Sequence, residues 1–172
     1  MFAWGLGALG FGSVQAQPNG PRDAWVETTL RQLTLRQKIG QLIMVPVFAQ
    51  ADTADAQVLG LLRDYEVGGL IWMKGKSGKL LSLLQHYKKA STHPLWMAMD
   101  AEWGAAMRLD DRPRFPYAMT MGACQDTDLV EALAEAMGRE LKELGMHISF
   151  GPVADVNSNP FNPVIGFRSF GS

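Results

Sequence analysis

The sequence predicts an α/β fold, the first half of a (β/α)8 barrel with about four βα units visible. Short apolar runs alternate with longer stretches whose apolar residues recur at helical spacing. Strands and helices that alternate in this way form βαβ units, in which right-handed crossovers join parallel strands. A complete barrel of this type needs roughly 200 to 250 residues or more. The 172 residues of this chain are therefore expected to form only part of one.

An open, doubly wound sheet is the alternative architecture. When such a sheet binds a dinucleotide, a glycine-rich turn follows its first strand. Here the corresponding residues are Val47-Phe48-Ala49-Gln50, which include no glycine. The sequence therefore argues against a dinucleotide site, and no cofactor is predicted.

Four apolar runs are predicted to be strands buried on both faces, namely 41–48, 68–73, 94–99 and 146–150. Helical spacing predicts helices over 25–40, 52–65, 77–90 and 126–144. In the last helix, Asp126 or Thr127 is expected to cap the start and Gly145 to end it. Its expected buried stripe consists of Leu129, Val130, Leu133, Met137, Leu141 and Leu144. Residues 100–124 and 151–172 are predicted to be irregular.

Residues 1–16 are predicted to be a signal peptide. The run 1–12 is apolar but shorter than the roughly 20 residues that span a bilayer. Val14 and Ala16 supply small residues at the −3 and −1 positions of a cleavage site, although no basic residue precedes Arg22. A buried N-terminal strand is the alternative, which the many glycines of the run disfavour. We expect an exported protein, periplasmic or extracellular, whose mature chain does not insert into a membrane.

Charge and cysteine content exclude several classes of protein. Lys and Arg number 16 against 17 Asp and Glu, so nucleic acid and anionic membrane surfaces are not expected as partners. Apolar residues make up 47% of the chain, enough for a hydrophobic core, which excludes extensive disorder. A single cysteine, Cys124, excludes an intramolecular disulfide, and the three histidines lack metal-ligand spacing. No metal site is predicted.

An acidic residue, Asp100, directly follows the third predicted strand, and Glu102 follows two residues later. Functional groups of parallel α/β folds lie at the carboxyl ends of strands. A carboxylate buried there requires a hydroxyl, a cation or another donor. Two interpretations stay open at this point, a ligand-binding carboxylate and a structural salt bridge or cap.

Two arginines extend this candidate site. Arg108 belongs to a mixed charged loop of the kind that is usually only solvated. Arg168 stands between Phe167 and Phe170 in the loop after the fourth strand, so its guanidinium is expected to be packed and held. A fixed guanidinium suits bidentate recognition of hydroxyls or a carboxylate. Asp155, in the same loop, is expected to accept hydrogen bonds from backbone amides.

Several segments resemble one known family. The run GPVADVNSNPFNPVIGFRSFG at 151–171 resembles the signature of glycoside hydrolase family 3, in its branch of bacterial β-N-acetylglucosaminidases. Residues 33–45, 67–73 and 97–109 resemble the opening segments of that family in the same order. One departure stands out: the family has Asp-Gln-Glu-Gly-Gly where this chain has Asp100-Ala101-Glu102-Trp103-Gly104. Trp103 in place of a glycine would reshape the cleft and leaves the exact substrate open.

The resemblance implies a barrel of about twice this length and assigns roles by position. Asp100, Arg108 and Arg168 would contact the sugar in the −1 subsite. Asp100 and Asp155 would not be the catalytic pair, because the family takes its nucleophilic aspartate from a later strand. Its acid/base is a histidine in a loop motif that this chain lacks. No catalytic residue is therefore expected here, and both groups are expected after Ser172.

The resulting expectation concerns the full-length protein, of which residues 17–172 would be the N-terminal half of the barrel domain. It would hydrolyse terminal β-linked N-acetylglucosamine from peptidoglycan-derived or chitin-type saccharides by a retaining mechanism. A small saccharide is thus the expected partner, and this stretch alone is expected to be inactive. The alternatives are a β-glucosidase or β-xylosidase of the same family, and a non-catalytic saccharide-binding protein.

Overall fold

The structure, a computed structural model, describes residues 20–50 and 55–171. The predicted signal peptide, 1–16, lies outside the described residues. The chain divides after Thr34 into two compact units, which are described separately.

Helix α1 (Pro21–Gln32) belongs to the first unit, and none of its residues is buried. It begins with proline in its first turn, where no backbone donor is lost, and it has Arg31 in its last turn, where a cation suits the helix dipole. The helical stretch predicted over 25–40, in which Thr34 was expected to cap a second turn, consists of two helices. Leu33 adopts an extended conformation, with φ −71° and ψ 132°, and a separate helix begins at Leu35.

The second unit alternates helices with four parallel strands. Its elements are α2 (Leu35–Gln41), β1 (Met44–Ala49), α3 (Ala56–Tyr65), β2 (Gly69–Gly75), α4 (Ser77–Ala90), β3 (Trp96–Met99), α5 (Ala118–Gly122), α6 (Thr127–Glu143) and β4 (Ile148–Ser149). The strands lie side by side in the order β1-β2-β3-β4. Strand order follows chain order, as in a barrel, whereas a doubly wound sheet reverses its order at a switch point. The predicted partial barrel is confirmed.

Several predicted boundaries differ from the observed ones. β1 begins three residues late, because the turn that ends α2 uses Leu42 and Ile43, whose amides bond to Ile39 and Gly40. β4 has only two residues, Ile148 and Ser149, because its pairing with β3 covers only two positions. The segment 100–124 contains a 3₁₀ turn, Ala105–Met107, as well as α5.

The core lies between one face of the sheet and helices α3 and α4. Residues at matching register positions point to this face, because side chains alternate along a strand. Val47, Trp72 and Met99 form one such row, and all three are buried. The Trp72 ring packs on Tyr87 of α4, with ring centroids 6.4 Å apart. The alternation of the strands therefore fixes which face carries the helices.

Helix α6 is only partly as predicted. Asp126 caps its start by accepting a hydrogen bond from the Leu129 amide at 3.1 Å, and Gly145 follows it with φ +76°, as expected. Leu141 and Leu144 are buried, but Leu129, expected in the same stripe, is 52% exposed. The buried stripe is thus confined to the carboxyl-terminal part of the helix, which packs against the loop after β3. Among the described residues, no helix combines the length and apolar character needed to cross a bilayer.

Candidate functional site

Asp100 lies at the carboxyl end of β3, where its side chain is 27% exposed. Arg108, with a side chain 17% exposed, donates a hydrogen bond from Nη2 to Asp100 Oδ2. The two residues are eight positions apart, so the loop between them folds back on itself. The Arg108 charge gives Asp100 the cation that a half-buried carboxylate requires. The sequence left two interpretations open, a ligand-binding carboxylate and a structural salt bridge or cap. The salt bridge is present, and Asp100 is still accessible to a ligand.

The 3₁₀ turn Ala105–Met107 places Arg108. The Arg108 amide donates to the Ala105 carbonyl at 2.9 Å, which closes the turn. The Arg108 carbonyl accepts from the Gly75 amide at 3.1 Å, and Asp110 donates to the Gly75 carbonyl at the same distance. This short parallel bridge attaches the loop to the end of β2. Asp100 and Arg108 thus lie together where β2 and β3 end.

The second ion pair joins residues 66 positions apart. Arg168 donates from Nη2 to Glu102 Oε1 at 2.7 Å, and from Nε to both carboxylate oxygens at 3.1 and 3.0 Å. The Glu102 side chain is 5% exposed and that of Arg168 is 27% exposed. Nη1 donates to the Val164 carbonyl at 3.3 Å. A guanidinium has five N–H groups, so one on Nη1 and one on Nη2 are left to bind a ligand.

The loop that carries Arg168 is closed by its own hydrogen bonds. The Asn157 amide donates to the Gly171 carbonyl at 2.9 Å. The Asn162 side chain accepts from the Val164 amide at 2.9 Å, as asparagine commonly does in turns. Ser169 is fully buried and donates from its hydroxyl to the Gly171 carbonyl at 2.7 Å. A glycine- and asparagine-rich sequence therefore forms an ordered support for the arginine.

Electrostatics connects the two ion pairs. Hydrogen bonding to Glu102 raises the pKa of Arg168, and the nearby charges of Asp155 and Asp100 act in the same direction, while burial opposes them. The guanidinium is therefore charged throughout the physiological range. Asp100, Asp155 and Arg168 share one rim of the sheet, as their positions after consecutive strands predict.

Trp103 belongs to a cluster of three rings beside the Glu102–Arg168 pair. Its ring meets Tyr117 edge-on, with centroids 4.9 Å apart and planes at 76°. Tyr117 packs on Phe167 at 4.3 Å. Gly104, next in sequence, has φ +80°, and a side chain there would overlap the Phe115 ring. The tryptophan that departs from the family pattern is therefore packed into the loop interface.

Two expectations about the β4 loop need correction. The two phenylalanines beside Arg168 were expected to hold its guanidinium, but they are 51% and 41% exposed, and the hydrogen bonds go to Glu102 and Val164. Asp155 is exposed, and among the described residues it accepts no hydrogen bond from a backbone amide. Its contribution is the charge that acts on Arg168.

Sequence reasoning missed the roles of two glutamates. Glu102 and Glu140 are the charged residues found buried in the described part of the chain, at 7% and 8% exposure. The long sequence separation hides the pairing of Glu102 with Arg168. Glu140 had a readable signal, because it stands three residues after Met137 and four before Leu144, on the apolar side of α6. An acid at such a position is expected only when a donor meets it.

A cavity of about 270 Å³, lined in part by Glu102, lies between α6 and the β4 loop. Met137, Leu141 and Phe170 are among the residues that line it, so it is mostly apolar. Among residues 20–50 and 55–171, no group of three or more potential ligands is arranged to hold a metal ion.

Comparisons with known proteins agree with this geometry. The family model "Glycosyl hydrolase family 3 N terminal domain" matches residues 34–172. A β-N-acetylglucosaminidase/β-glucosidase of Cellulomonas fimi is 31% identical over 87% of this chain and 26% of its own length. The β-hexosaminidase LpqI of Mycobacterium tuberculosis is 33% identical over 81% of this chain and 36% of its own length.

A solved structure is similar as well. The family 3 β-N-acetylglucosaminidase from Paenibacillus sp. FPU-7 is 33% identical and superposes with a TM-score of 0.72, covering 81% of this chain and 28% of that chain. The chain thus spans between about a quarter and about a third of these relatives. On the match of residues 34–172 and these identities, the chain belongs to glycosyl hydrolase family 3, in its N-terminal domain.

Proposed function

We propose that the complete gene product is an exported, retaining β-N-acetylhexosaminidase. It hydrolyses terminal β-linked N-acetylglucosamine from peptidoglycan-derived or chitin-type saccharides. The relatives named as β-N-acetylglucosaminidases and β-hexosaminidases support this assignment. The observation that carries it is the common rim of Asp100, Arg108 and Arg168, where a half-exposed carboxylate and a guanidinium with free N–H groups lie together.

In this proposal the chain binds and orients the sugar of the −1 subsite. Asp100 accepts hydrogen bonds from sugar hydroxyls while Arg108 holds the carboxylate in place through the hydrogen bond from Nη2. Arg168 donates its remaining N–H groups, with Glu102 holding the guanidinium in place. Hydrogen bonds to charged groups are worth about 1.5–3 kcal/mol each, and they accelerate hydrolysis only where they strengthen as the ring distorts in the transition state.

The covalent steps require two further groups. A retaining glycosidase needs a nucleophile that forms a glycosyl-enzyme and an acid/base that protonates the leaving oxygen and then activates water. We place the nucleophilic aspartate and the acid/base histidine outside residues 1–172. On this assignment residues 17–172 are the N-terminal half of the barrel domain and do not turn over substrate alone. We assign 1–16 as the signal peptide, on the pattern of its apolar run and cleavage site.

A β-glucosidase is the second candidate, because the Cellulomonas fimi relative carries both activities in its name. Hydroxyl contacts from Asp100 would serve a glucoside as well as an N-acetylglucosaminide. Steady-state kinetics of the complete gene product on the two aryl glycosides separates the candidates. A higher kcat/KM on the glucoside would replace the first proposal by the second, and saccharide binding without turnover would identify a binding protein.

The role of Asp100 is tested with Asp100→Ala in the complete gene product. Loss of about two hydroxyl contacts, at 1.4 kcal/mol per factor of ten, lowers kcat/KM on an aryl N-acetylglucosaminide by roughly 10²- to 10⁴-fold. Asp110→Ala is the matched control, because Asp110 is an exposed acid in the same loop. Equal activities of the two variants would remove Asp100 from the site. Turnover by residues 17–172 alone, abolished by Asp100→Ala, would overturn the placement of the catalytic groups.

A further inference from the structure

Glu140 is a buried carboxylate that the proposed reaction does not use. It lies on α6 with 8% of its surface exposed, whereas Glu131, Glu135 and Glu143 on the same helix are exposed. Its Oε2 accepts a hydrogen bond from the Ala105 amide at 2.9 Å, and Oε1 has no hydrogen-bond partner among the described residues. A buried carboxylate with one unsatisfied oxygen is costly for stability. The fold therefore retains a charge that packing alone would not favour.

The partner of Glu140 starts the turn that supports Arg108. The first amides of a helical turn have no acceptor within the turn, and a carboxylate satisfies such a donor well. Glu140 does this for Ala105 from another element. The Ala105 carbonyl in turn accepts from the amides of Arg108, at 2.9 Å, and Leu109, at 2.8 Å. The backbone of one residue, Ala105, thus connects α6 to the residue that holds Asp100.

The space around this contact restricts the loop further. Gly104, which precedes the turn, has φ +80°, and a side chain on it would lie 3.2 Å from Glu140 Oε2 and overlap the Phe115 ring. The Glu140 carboxylate is therefore in close contact with the backbone of Gly104 and Ala105. Moving it would move the start of the turn, and with it the Arg108 side chain.

We propose that Glu140 is a positioning residue, which fixes the Asp100–Arg108 pair through the backbone of Ala105. This inference rests on the proposed role of Asp100 in binding the sugar. A purely stabilising role makes a different prediction. A purely stabilising residue would affect the measured activity only through the unfolded fraction, whereas a positioning residue also lowers the kcat/KM of the folded protein, so activities are corrected for the folded fraction.

The experiment compares Glu140→Met, Glu140→Gln and the control Glu143→Met in the complete gene product, using an aryl N-acetylglucosaminide. Methionine keeps the length but not the acceptor, so the buried Ala105 amide loses its partner and stability falls. The kcat/KM of the folded protein falls about tenfold or more, because the turn before Arg108 is no longer fixed. Glutamine retains an acceptor oxygen and restores most of the activity. Glu143→Met behaves like the wild type. Wild-type kcat/KM in Glu140→Met would overturn the proposal.

A double-variant cycle shows whether Glu140 acts through Arg108. If it does, adding Glu140→Met to Arg108→Ala lowers kcat/KM no further than Arg108→Ala alone. Additive losses would overturn the proposal. If Glu140→Met does not fold, Glu140→Asp replaces it in the cycle, because the shorter side chain withdraws the carboxylate from Ala105 and keeps the charge.

A readout independent of turnover separates this inference from the proposed function. Amide hydrogen exchange at Ala105 in the complete gene product is expected to accelerate at least tenfold in Glu140→Met, and to stay unchanged in Glu143→Met. If the wild type lacks N-acetylglucosaminidase activity, the proposed function fails while the exchange result still tests the contact. Unchanged exchange at Ala105 would overturn the inference whatever the enzyme hydrolyses.

Discussion

The two ends of the sheet each contain a shielded glutamate beside a basic side chain, and the pairs differ in what they connect. At the carboxyl end Glu102 binds Arg168 at 2.7 Å. At the amino end Glu66, just before β2, lies 3.0 Å from His93, just before β3. Glu66 also accepts from the Gln37 side chain at 2.7 Å, so it joins α2 to the strand entries. Glu102 instead joins two loops outside regular structure.

The two glutamates therefore have different roles, although both pair with a basic side chain. The Glu66 contacts lie between regular elements that packing already places, so they add stability to an arrangement that exists without them. The Glu102 contact instead fixes the direction of the Arg168 side chain, because the hydrogen bonds within each loop hold its backbone but, of the described residues, only Glu102 joins the guanidinium to the other loop. The side chains agree with this difference, since the planar guanidinium of Arg168 donates three hydrogen bonds to Glu102 in a fixed orientation.

The largest expected effect is the difference in stability and in kcat/KM between Glu102→Ala and Glu66→Ala. Loss of Glu102 leaves the Arg168 guanidinium half-buried without its main partner, which lowers stability by about 3 kcal/mol. Because Arg168 is then free to turn, kcat/KM on an aryl N-acetylglucosaminide falls roughly 100-fold. Loss of Glu66 lowers stability by about 1–2 kcal/mol and leaves kcat/KM within about twofold of the wild-type value. Urea unfolding and steady-state kinetics of the complete gene product measure both effects.

Activities are corrected for the folded fraction in this comparison, so that lost stability is not counted as lost chemistry. Glu102→Gln serves as the conservative control, because the amide oxygen still accepts from Arg168. Equal corrected losses in the Glu102 and Glu66 variants would show that the two ends of the sheet do not differ in the way proposed.

The second prediction compares two tryptophans at the two ends of the sheet. Trp103 packs with Tyr117 and Phe167. Trp96 is 57% exposed, and in the described part of the chain its ring packs on one other ring, that of His147. Trp103→Gly introduces the glycine that the resemblance implies at this position but removes one of the three rings of the cluster, so stability falls by about 2–3 kcal/mol. Trp96→Gly costs about 1 kcal/mol. Thermal unfolding of both variants measures the difference.

Substrate choice sharpens the same comparison. Trp103 is packed between loops, so the ratio of kcat/KM on the N-acetylglucosaminide to that on the glucoside is expected to change less than about threefold in Trp103→Phe. A shift of tenfold or more would show instead that the ring lines the sugar cleft. The expectation from sequence, that this residue reshapes the cleft, would then hold.

How far the sequence predicts the molecule depends on the range of each interaction. The alternation of strands with helices and the cap at Asp126 follow from local patterns, because hydrophobic periodicity and capping involve residues a few positions apart. The break at Leu33 and the two-residue β4 do not, since a continuous apolar pattern conceals a change of backbone direction. Asp100 was identified because strand ends converge. The roles of Glu102 and Glu140 were missed because their donors, Arg168 and the Ala105 amide, are 66 and 35 positions away in the sequence, so spacing does not reveal them.

The smallest expected effect is that of replacing Asp111, in the loop after β3. Its carboxylate accepts from the Ser77 hydroxyl at 2.7 Å and from the Ser77 amide at 2.9 Å, which attaches the start of α4 to that loop. These hydrogen bonds hold the pKa of Asp111 below its ordinary value of 3.8. The folded state therefore favours the ionised form, so the contribution is present above that value and is lost as the pH falls through the lower, folded-state pKa.

Asp111→Asn is expected to lower stability by only a few tenths of a kcal/mol at pH 7, because the carboxylate is exposed and screened by water. The gap between wild type and variant should close as the pH falls below 3.8. Urea unfolding between pH 7 and pH 3 measures it, with Asp110→Asn as the control. A gap that stays constant across this range would show that Asp111 acts through shape. The charge of Asp111 would then not contribute to holding α4. Electrostatic stabilisation at this end of the sheet would be confined to the Asp100–Arg108 and Glu102–Arg168 pairs.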